Sequence, residues 1–326
     1  MQSQQITLAM QAACAEARKW LGATSPNPPV GAAALDENGV LLGVAAHQRA
    51  GEGHAEVLLL QQLRAAEKLS LVHTLCVTLE PCNHYGLTPP CCDAIIASKI
   101  SHVVIGARDP NARVRGGGLE RMRAAGIAVT ERDDPECRAL LYAFAHSVTS
   151  GKLWVTVKRA FTVSGSMIPP QGQKTFTAPD SLRLAHQLRK RADAILTGSG
   201  TVLADHPSFT VRQVPDYAGK TRILAILDRR RRVQAEYLAA AEKRCLLPLI
   251  YDGVAEAFAD LARRQCRDVL VEAGPKLSDA VLASPYWCQD VQIQQALPDS
   301  VTVGYHPALT AQAAWPLAWM LPQELA

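Results

Sequence analysis

Apolar residues along this chain recur in two rhythms, a three-to-four-residue period and short unbroken runs, which alternate as far as residue 283. Residues 6–21 set Leu8, Cys14 and Ala17 among alanines with no breaker before Gly22, predicting an opening helix closed off by Pro26. The runs 30–35 and 40–45 flank Asp36-Glu37-Asn38-Gly39, a hairpin signal with an Asn-Gly turn. Val57, Leu58, Leu60 and Leu63 predict a helix from His54. Residues 75–79 read as a short buried strand, Cys91 as the start of another helix, and 103–106 and 127–130 as further strands around a helix at 119–124. After a connection at 147–152 the alternation restarts. Strands are predicted at 153–160, 194–197, 223–227, 249–251 and 269–271, and helices at 179–191, 234–243, 254–265 and 275–283. The layout is α/β, in two domains of residues 1–148 and 149–326.

Composition narrows the classes. With 48% hydrophobic and 20% charged residues the chain can bury ordinary cores, and a net charge of +4 suits a phosphorylated small molecule but not nucleic acid, which demands a dense basic stripe. The one charge run, Arg229 to Arg232, reads as a solvated loop. Nine scattered cysteines, an odd number, do not make a secreted disulfide framework; metal binding and burial account for them better. No run of about 18 apolar residues and no basic start with an apolar core appears, so the expectation is a cytoplasmic protein without a membrane partner.

Gly53-His54-Ala55-Glu56 and the stretch from Glu80 to Cys91 carry the chemistry. One imidazole and two thiolates, from His54, Cys82 and either Cys91 or the adjacent Cys92, suit Zn²⁺ and leave a fourth position open for water. Glu56 stands two residues after His54, where the H-x-E pattern of zinc nucleobase deaminases puts a proton-transferring carboxylate that does not ligate the metal. The usual P-C-x-x-C is altered, since eight residues separate Cys82 from Cys91. A closed structural zinc site with Cys92 as fourth ligand is the competing reading.

The string Glu80-Pro81-Cys82-Asn83-His84-Tyr85-Gly86-Leu87-Thr88-Pro89-Pro90-Cys91, with Pro26-Asn27-Pro28-Pro29-Val30-Gly31, His47 and Asp109-Pro110-Asn111, resembles the deaminase half of the bifunctional riboflavin-biosynthesis deaminase/reductase family over residues 5–146. The resemblance implies a cytidine-deaminase-like zinc domain acting on a phosphoribosylated diaminopyrimidine, with Glu56 catalytic and Asn27, His47 and His84 holding ring and ribose. Read without it, Asn27 is a turn cap and the two histidines are surface residues. Leu87 stands where the family commonly has arginine.

Several later segments resemble the family's reductase half, a dihydrofolate-reductase-like α/β domain using NADPH: 157–160, 196–205, Thr210-Val211-Arg212 and Val271-Glu272-Ala273-Gly274-Pro275. By position the resemblance implies that Thr201 and Asp205 contact the nicotinamide cofactor, Arg189 and Arg212 the substrate phosphate or its surroundings, and Glu272 the substrate; it also implies a homodimer. Departures are evident. The family's S-L-D-G is Thr162-Val163-Ser164-Gly165, Thr175 replaces a tryptophan, His206 replaces the second acid of A-D-D-P, residues 289–295 are polar for an inner strand, and no A-P-x-x-x-G element is visible at 296–299. These suggest erosion, and the alternative is a deaminase whose second domain serves folding, dimerisation or substrate positioning. A deaminase of free bases, nucleosides or RNA, and a noncatalytic assembly protein, are the other readings.

Overall fold

The structure is a computed structural model that describes residues 2–85, 89–112, 115–173 and 175–309. The chain divides into two compact units, Met1–Thr149 and Ser150–Ala326.

In the first unit α1 (Gln2–Arg18) precedes β1 (Gly31–Leu35) and β2 (Leu41–Ala46), followed by α2 (Ala55–Ala65), β3 (Thr74–Val77), α3 (Cys91–Ala97), β4 (His102–Ile105), α4 (Gly117–Ala124), β5 (Ala128–Glu131), α5 (Pro135–Leu140) and α6 (Tyr142–Ser150). The five strands are ordered β2-β1-β3-β4-β5. β1 runs antiparallel to both neighbours, whereas β3, β4 and β5 are parallel. β1 is Gly-Ala-Ala-Ala-Leu, buried throughout, and these small side chains let a helix approach closely. A Cβ on Gly31 would overlap the carbonyl oxygen of Ala13 in α1. On the opposite face Leu59, Leu60 and Leu63 of α2 join Ile95 of α3, Leu119 and Met122 of α4, and Leu75, Val77, Val103 and Ile105 of the strands in one core.

The predicted elements of this unit are present, with three differences. The opening helix begins at Gln2 and stops at Arg18. The β1–β2 connection is a five-residue loop rather than a two-residue turn: Asp36 Oδ1 accepts the N–H groups of Asn38 (2.9 Å) and Val40 (2.8 Å), and the pairing slips between Ala34 and Leu35. Helices α5 and α6 were not predicted, although α5 carries a legible start, with Asp134 accepting the N–H groups of Glu136 and Cys137 and Pro135 in the first turn.

The second unit runs β6 (Trp154–Phe161), α7 (Pro179–Arg191), β7 (Ala194–Gly198), α8 (Ser199–Asp205), β8 (Arg222–Leu227), α9 (Ala235–Glu242), β9 (Leu246–Tyr251), α10 (Val254–Arg263), β10 (Asp268–Val271), α11 (Pro275–Leu282), β11 (Gln289–Gln294) and β12 (Ser300–Tyr305). Its seven strands are ordered β12-β11-β6-β10-β7-β8-β9. All neighbours are parallel except β11 and β12. Helix α8 at Ser199–Asp205 was not among the predicted elements. The polarity of 289–295 does not keep it out of the sheet interior, because each polar group is paired. Gln289 accepts from Thr156 (3.2 Å), Arg159 Nε donates to Asp290 (3.1 Å), Gln292 donates to Asp290 (2.7 Å), and Gln294 donates to the Thr162 carbonyl (2.8 Å). The altered turn 162–165 is likewise held together by hydroxyls: Thr162 and Ser164 meet at 2.9 Å and Ser166 N–H donates to Thr162 Oγ1. None of the described helices is long and apolar enough to cross a membrane.

Arg191 knits this sheet internally. Its Nε lies 3.1 Å from Asp268 and its Nη2 donates to Thr156 at 2.7 Å, with both charged side chains almost fully buried. Arg191→Met removes the buried guanidinium that pairs with Asp268, and a loss of about 3–5 kcal/mol is expected in urea denaturation; a change below about 1 kcal/mol would show that other groups around Asp268 take over.

Candidate active sites

Three chain segments deliver the metal-type ligands. His54 is the N-cap of α2 in extended conformation, Cys82 follows the end of β3, and Cys91 is the first residue of α3. His54 Nδ1 lies 3.1 Å from Cys91 Sγ and 3.6 Å from Cys82 Sγ, and the three ligand atoms all fall within 4.8 Å of one another. The Cys91 N–H donates to Cys82 Sγ at 3.3 Å. The Cys91 thiol bonds to Cys82 as well, and with His54 alongside this draws Cys82 down to about 4, against the penalty of burial. Cys91, left with the proton and buried, is pushed up. Cys92 does not join them, since its thiol donates to the Pro81 carbonyl at 3.5 Å. Among the described residues the group therefore has three ligands and no fourth, a donor set that suits zinc with one position left for water.

Two polar atoms beside this group are buried without a hydrogen-bond partner among the described residues, Glu56 Oε2 and His47 Nε2. Glu56 lies in the first turn of α2, and burial raises its carboxyl pKa against the opposing effect of His54. His47 Nδ1 is 3.0 Å from the Gly53 carbonyl, which can only accept, so Nδ1 carries the proton and Nε2 offers a lone pair. Burial lowers the His47 pKa and keeps the ring neutral in that tautomer. The rings of His47 and His54 meet edge to face at 5.3 Å. Orphaned buried groups of this kind are rare and call for a ligand.

Asn27 is exposed, its backbone held in a turn by Thr24 (N–H to carbonyl 2.9 Å, and Thr24 hydroxyl to the Asn27 carbonyl 3.0 Å), so its side chain does no capping. His84 is exposed and lies close enough to Asp109 to counter the rise that burial imposes on that carboxyl group. Leu87 lies outside the described residues. Sequence reasoning missed Glu80, whose carboxylate accepts the N–H groups of Asp109 (3.3 Å) and Gly116 (2.6 Å) and so ties the loop after β4 to the strand end bearing Cys82. Asn83, donating to the Gly117 carbonyl (3.1 Å) and accepting from Arg121 (2.9 Å), makes a second tie. Gly118 permits this approach, because a Cβ there would overlap the Pro81 carbonyl oxygen. A Glu-Pro-Cys run at a strand end was the available signal.

In the second unit Glu272, just past β10, is nearly fully buried and gripped by two cations. Arg189 meets it with Nε at 2.6 Å and Nη2 at 3.1 Å, and Lys158 Nζ is 3.1 Å away. Burial alone would raise its pKa, but the Arg189 and Lys158 charges outweigh that and hold it at about 2. Arg189 spends its remaining nitrogen on the Thr210 carbonyl (3.2 Å). It is thus engaged by protein groups, whereas Arg212 is exposed and bonds Ser208 (3.0 Å) and Thr210 (3.3 Å) through one nitrogen. His186, also missed, accepts the Arg212 backbone N–H at 3.0 Å; burial, with Arg189 and Arg212 nearby, lowers it to about 4. Thr201 Oγ1 accepts the Gly274 N–H at 3.0 Å, and Asp205 is exposed at the end of α8. Lys158 was legible only as half of a Lys-Arg pair in a mostly apolar strand.

The chain matches the cytidine and deoxycytidylate deaminase zinc-binding region over residues 3–107 and the RibD C-terminal domain over residues 153–286. The second match spans most of the departures noted in the sequence, and no observation favours a second unit kept for folding alone. A riboflavin biosynthesis protein RibD from Mycobacterium tuberculosis is 36% identical over 264 residues, 80% of this chain and 76% of that protein. The RibD of Aquifex aeolicus is 43% identical over 217 residues, 66% of this chain and 60% of that protein. Among solved structures, a diaminohydroxyphosphoribosylaminopyrimidine deaminase/5-amino-6-(5-phosphoribosylamino)uracil reductase from Thermotoga maritima superposes with TM-score 0.79 at 32% identity, covering 89% of this chain and 86% of that one. The chain belongs to the RibD family of riboflavin biosynthesis proteins, with a zinc-binding deaminase domain followed by a dihydrofolate-reductase-like domain.

The Glu272 cluster sets a pH dependence. A carboxyl group whose folded pKa lies below its unfolded value of about 4.3 adds stability that is complete above that pH and disappears as pH falls through about 2. The urea midpoint of the second unit's unfolding should therefore drop between these limits in the wild type, and Glu272→Gln should flatten the drop; an unchanged profile counts against the cluster.

Proposed function

We propose that the first unit removes, by hydrolysis, a ring amino group from a phosphoribosylated diaminopyrimidine, and that the second reduces the ribosyl group of the product with NADPH. The observation that carries this reading is the buried Glu56 Oε2, without a hydrogen-bond partner among the described residues, beside a group of three metal-type ligands. Zinc would be held by His54, Cys82 and Cys91, and it supplies the acidity that makes water a nucleophile near neutral pH. Glu56 Oε2 takes a proton from the attacking water and delivers it to the departing nitrogen. His47 Nε2 accepts a hydrogen bond from the substrate, and Asn27 and His84 complete its contacts.

In the second unit Gly198, Gly200 and Gly274 leave the strand ends open to a dinucleotide, and a Cβ added at Gly200 would have no atom within 4 Å. Thr201 and Asp205 would contact this cofactor, which supplies the hydride. Glu272, kept ionised by Lys158 and Arg189, orients the sugar hydroxyls, and Arg212 binds the phosphate. The reading includes a cytoplasmic homodimer, checked by sedimentation velocity.

Zinc-loaded protein should release ammonia from the phosphoribosyl pyrimidine and not from cytidine or guanine. Glu56→Ala should keep its zinc and lose about 10²–10⁴-fold in turnover, while Cys82→Ala should lose the metal; full turnover in Glu56→Ala refutes the role. Calorimetry should show NADPH binding, and its absence would overturn the assignment of the second unit.

A further inference from the structure

Two of the nine cysteines belong to the metal-type group, and two others meet elsewhere in the first unit. Cys14 Sγ and Cys137 Sγ lie 3.4 Å apart and fully buried, although 123 positions of chain separate them. Cys14 is on the buried face of α1 with Met10, Ala13 and Ala17. Cys137 is in the first turn of α5, where its N–H donates to Asp134 Oδ1 at 3.3 Å.

The fold makes room for this contact and clamps it. Gly106, just past β4, faces the sulfurs: a Cβ there would lie 2.2 Å from Cys137 Sγ and 3.1 Å from Met10 Sδ. Gly106 is not among the glycines with positive φ, so space for sulfur is what its missing side chain supplies. Its carbonyl also accepts the Asp134 N–H at 2.6 Å, which anchors the start of α5. One turn along α1 from Cys14, Arg18 Nη2 meets Glu136 Oε2 at 2.8 Å, tying the residue before Cys137 to the same helix. A disulfide holds its sulfurs about 2.05 Å apart. Closure therefore asks for about 1.4 Å of combined side-chain movement between elements already fastened together.

We propose that Cys14 and Cys137 are an oxidation site, closing under a hydroperoxide to a disulfide that staples α1 to α5. One thiolate attacks the peroxide O–O bond and becomes a sulfenic acid, and the hydroxide released takes up the proton that thiol gave away. The second thiol attacks the sulfenic sulfur, and its proton leaves with the hydroxyl group as water. Two thiols and one hydrogen peroxide thus yield one disulfide and two waters. The hydrogen bond with Cys14 and burial push the Cys137 thiol up, so the docked pair is inert and the first attack belongs to molecules in which α5 has opened. In a reducing compartment such a bond is transient, formed under oxidant and undone by thiols. The loop it closes contains His54, Cys82 and Cys91, and a cross-link over so long a span restricts the unfolded chain strongly. It opposes the unfolding that would scatter those ligands.

Peptide mapping tests the proposal: zinc-loaded full-length protein is treated with hydrogen peroxide, unfolded, alkylated, digested and read by mass spectrometry. The expected result is one linked pair of peptides carrying Cys14 and Cys137, with zinc content unchanged. The thermal midpoint of the first unit should rise by about 5 °C or more, and dithiothreitol should restore it. Cys14→Ala and Cys137→Ala should each abolish the rise. The proposal is overturned by free, alkylated Cys14 and Cys137 after peroxide, by sulfinic or sulfonic acid at either one, by a linked pair formed from other cysteines in their place, or by a rise that survives in the alanine variants. The map is read on wild type, so it decides even where a variant does not fold.

Discussion

Holding one imidazole nitrogen and two sulfurs within 4.8 Å, with no fourth ligand among the described residues, is the demand around which the first unit is arranged. Two thiols brought this close to each other and to a histidine cannot all keep ordinary protonation states. Cys82 is driven down by hydrogen bonds from Cys91, and Cys91 is driven up. A cation resolves that conflict, because it favours both thiolates together. Each ligand is placed at a point where the chain has little freedom: the cap of α2, the first residue of α3, and a strand-end loop pinned by Glu80 and Asn83.

The surrounding packing serves the same end. Alanines and Gly31 in β1 let α1 close one face of the sheet, while leucines of α2 pack the other face and carry His54 and Glu56 at the helix start. Glu56 stays buried with one oxygen unpartnered among the described residues, a cost that calls for a ligand at that point. In the second unit charge is balanced inside the fold: Glu272 has two cations, Arg191 has Asp268, and Arg159 has Asp290. That balance explains how β11 can be both polar and interior. Polarity excludes a strand from a core only when its groups lack partners, and here partners come from β6, from the turn after it and from β11 itself.

Much of this was open to reading from the chain alone. Val57, Leu58, Leu60 and Leu63 announce α2 because helical spacing is local, and His54, Cys82 and Cys91 announce a metal because ligand chemistry belongs to residue type. What the sequence determined by itself was therefore periodicity, the domain-scale alternation of elements and the identity of the zinc-type donors. Only the tertiary structure decided which groups meet. It left Cys92 facing the Pro81 carbonyl, gave Glu80 its loop, paired Lys158 with Glu272 across 114 positions of chain, and sealed β11 with partners from β6. The physical reason is that a side chain's electrostatic surroundings are assembled from segments distant in sequence, so neither its pKa nor its partners can be read from its neighbours along the chain.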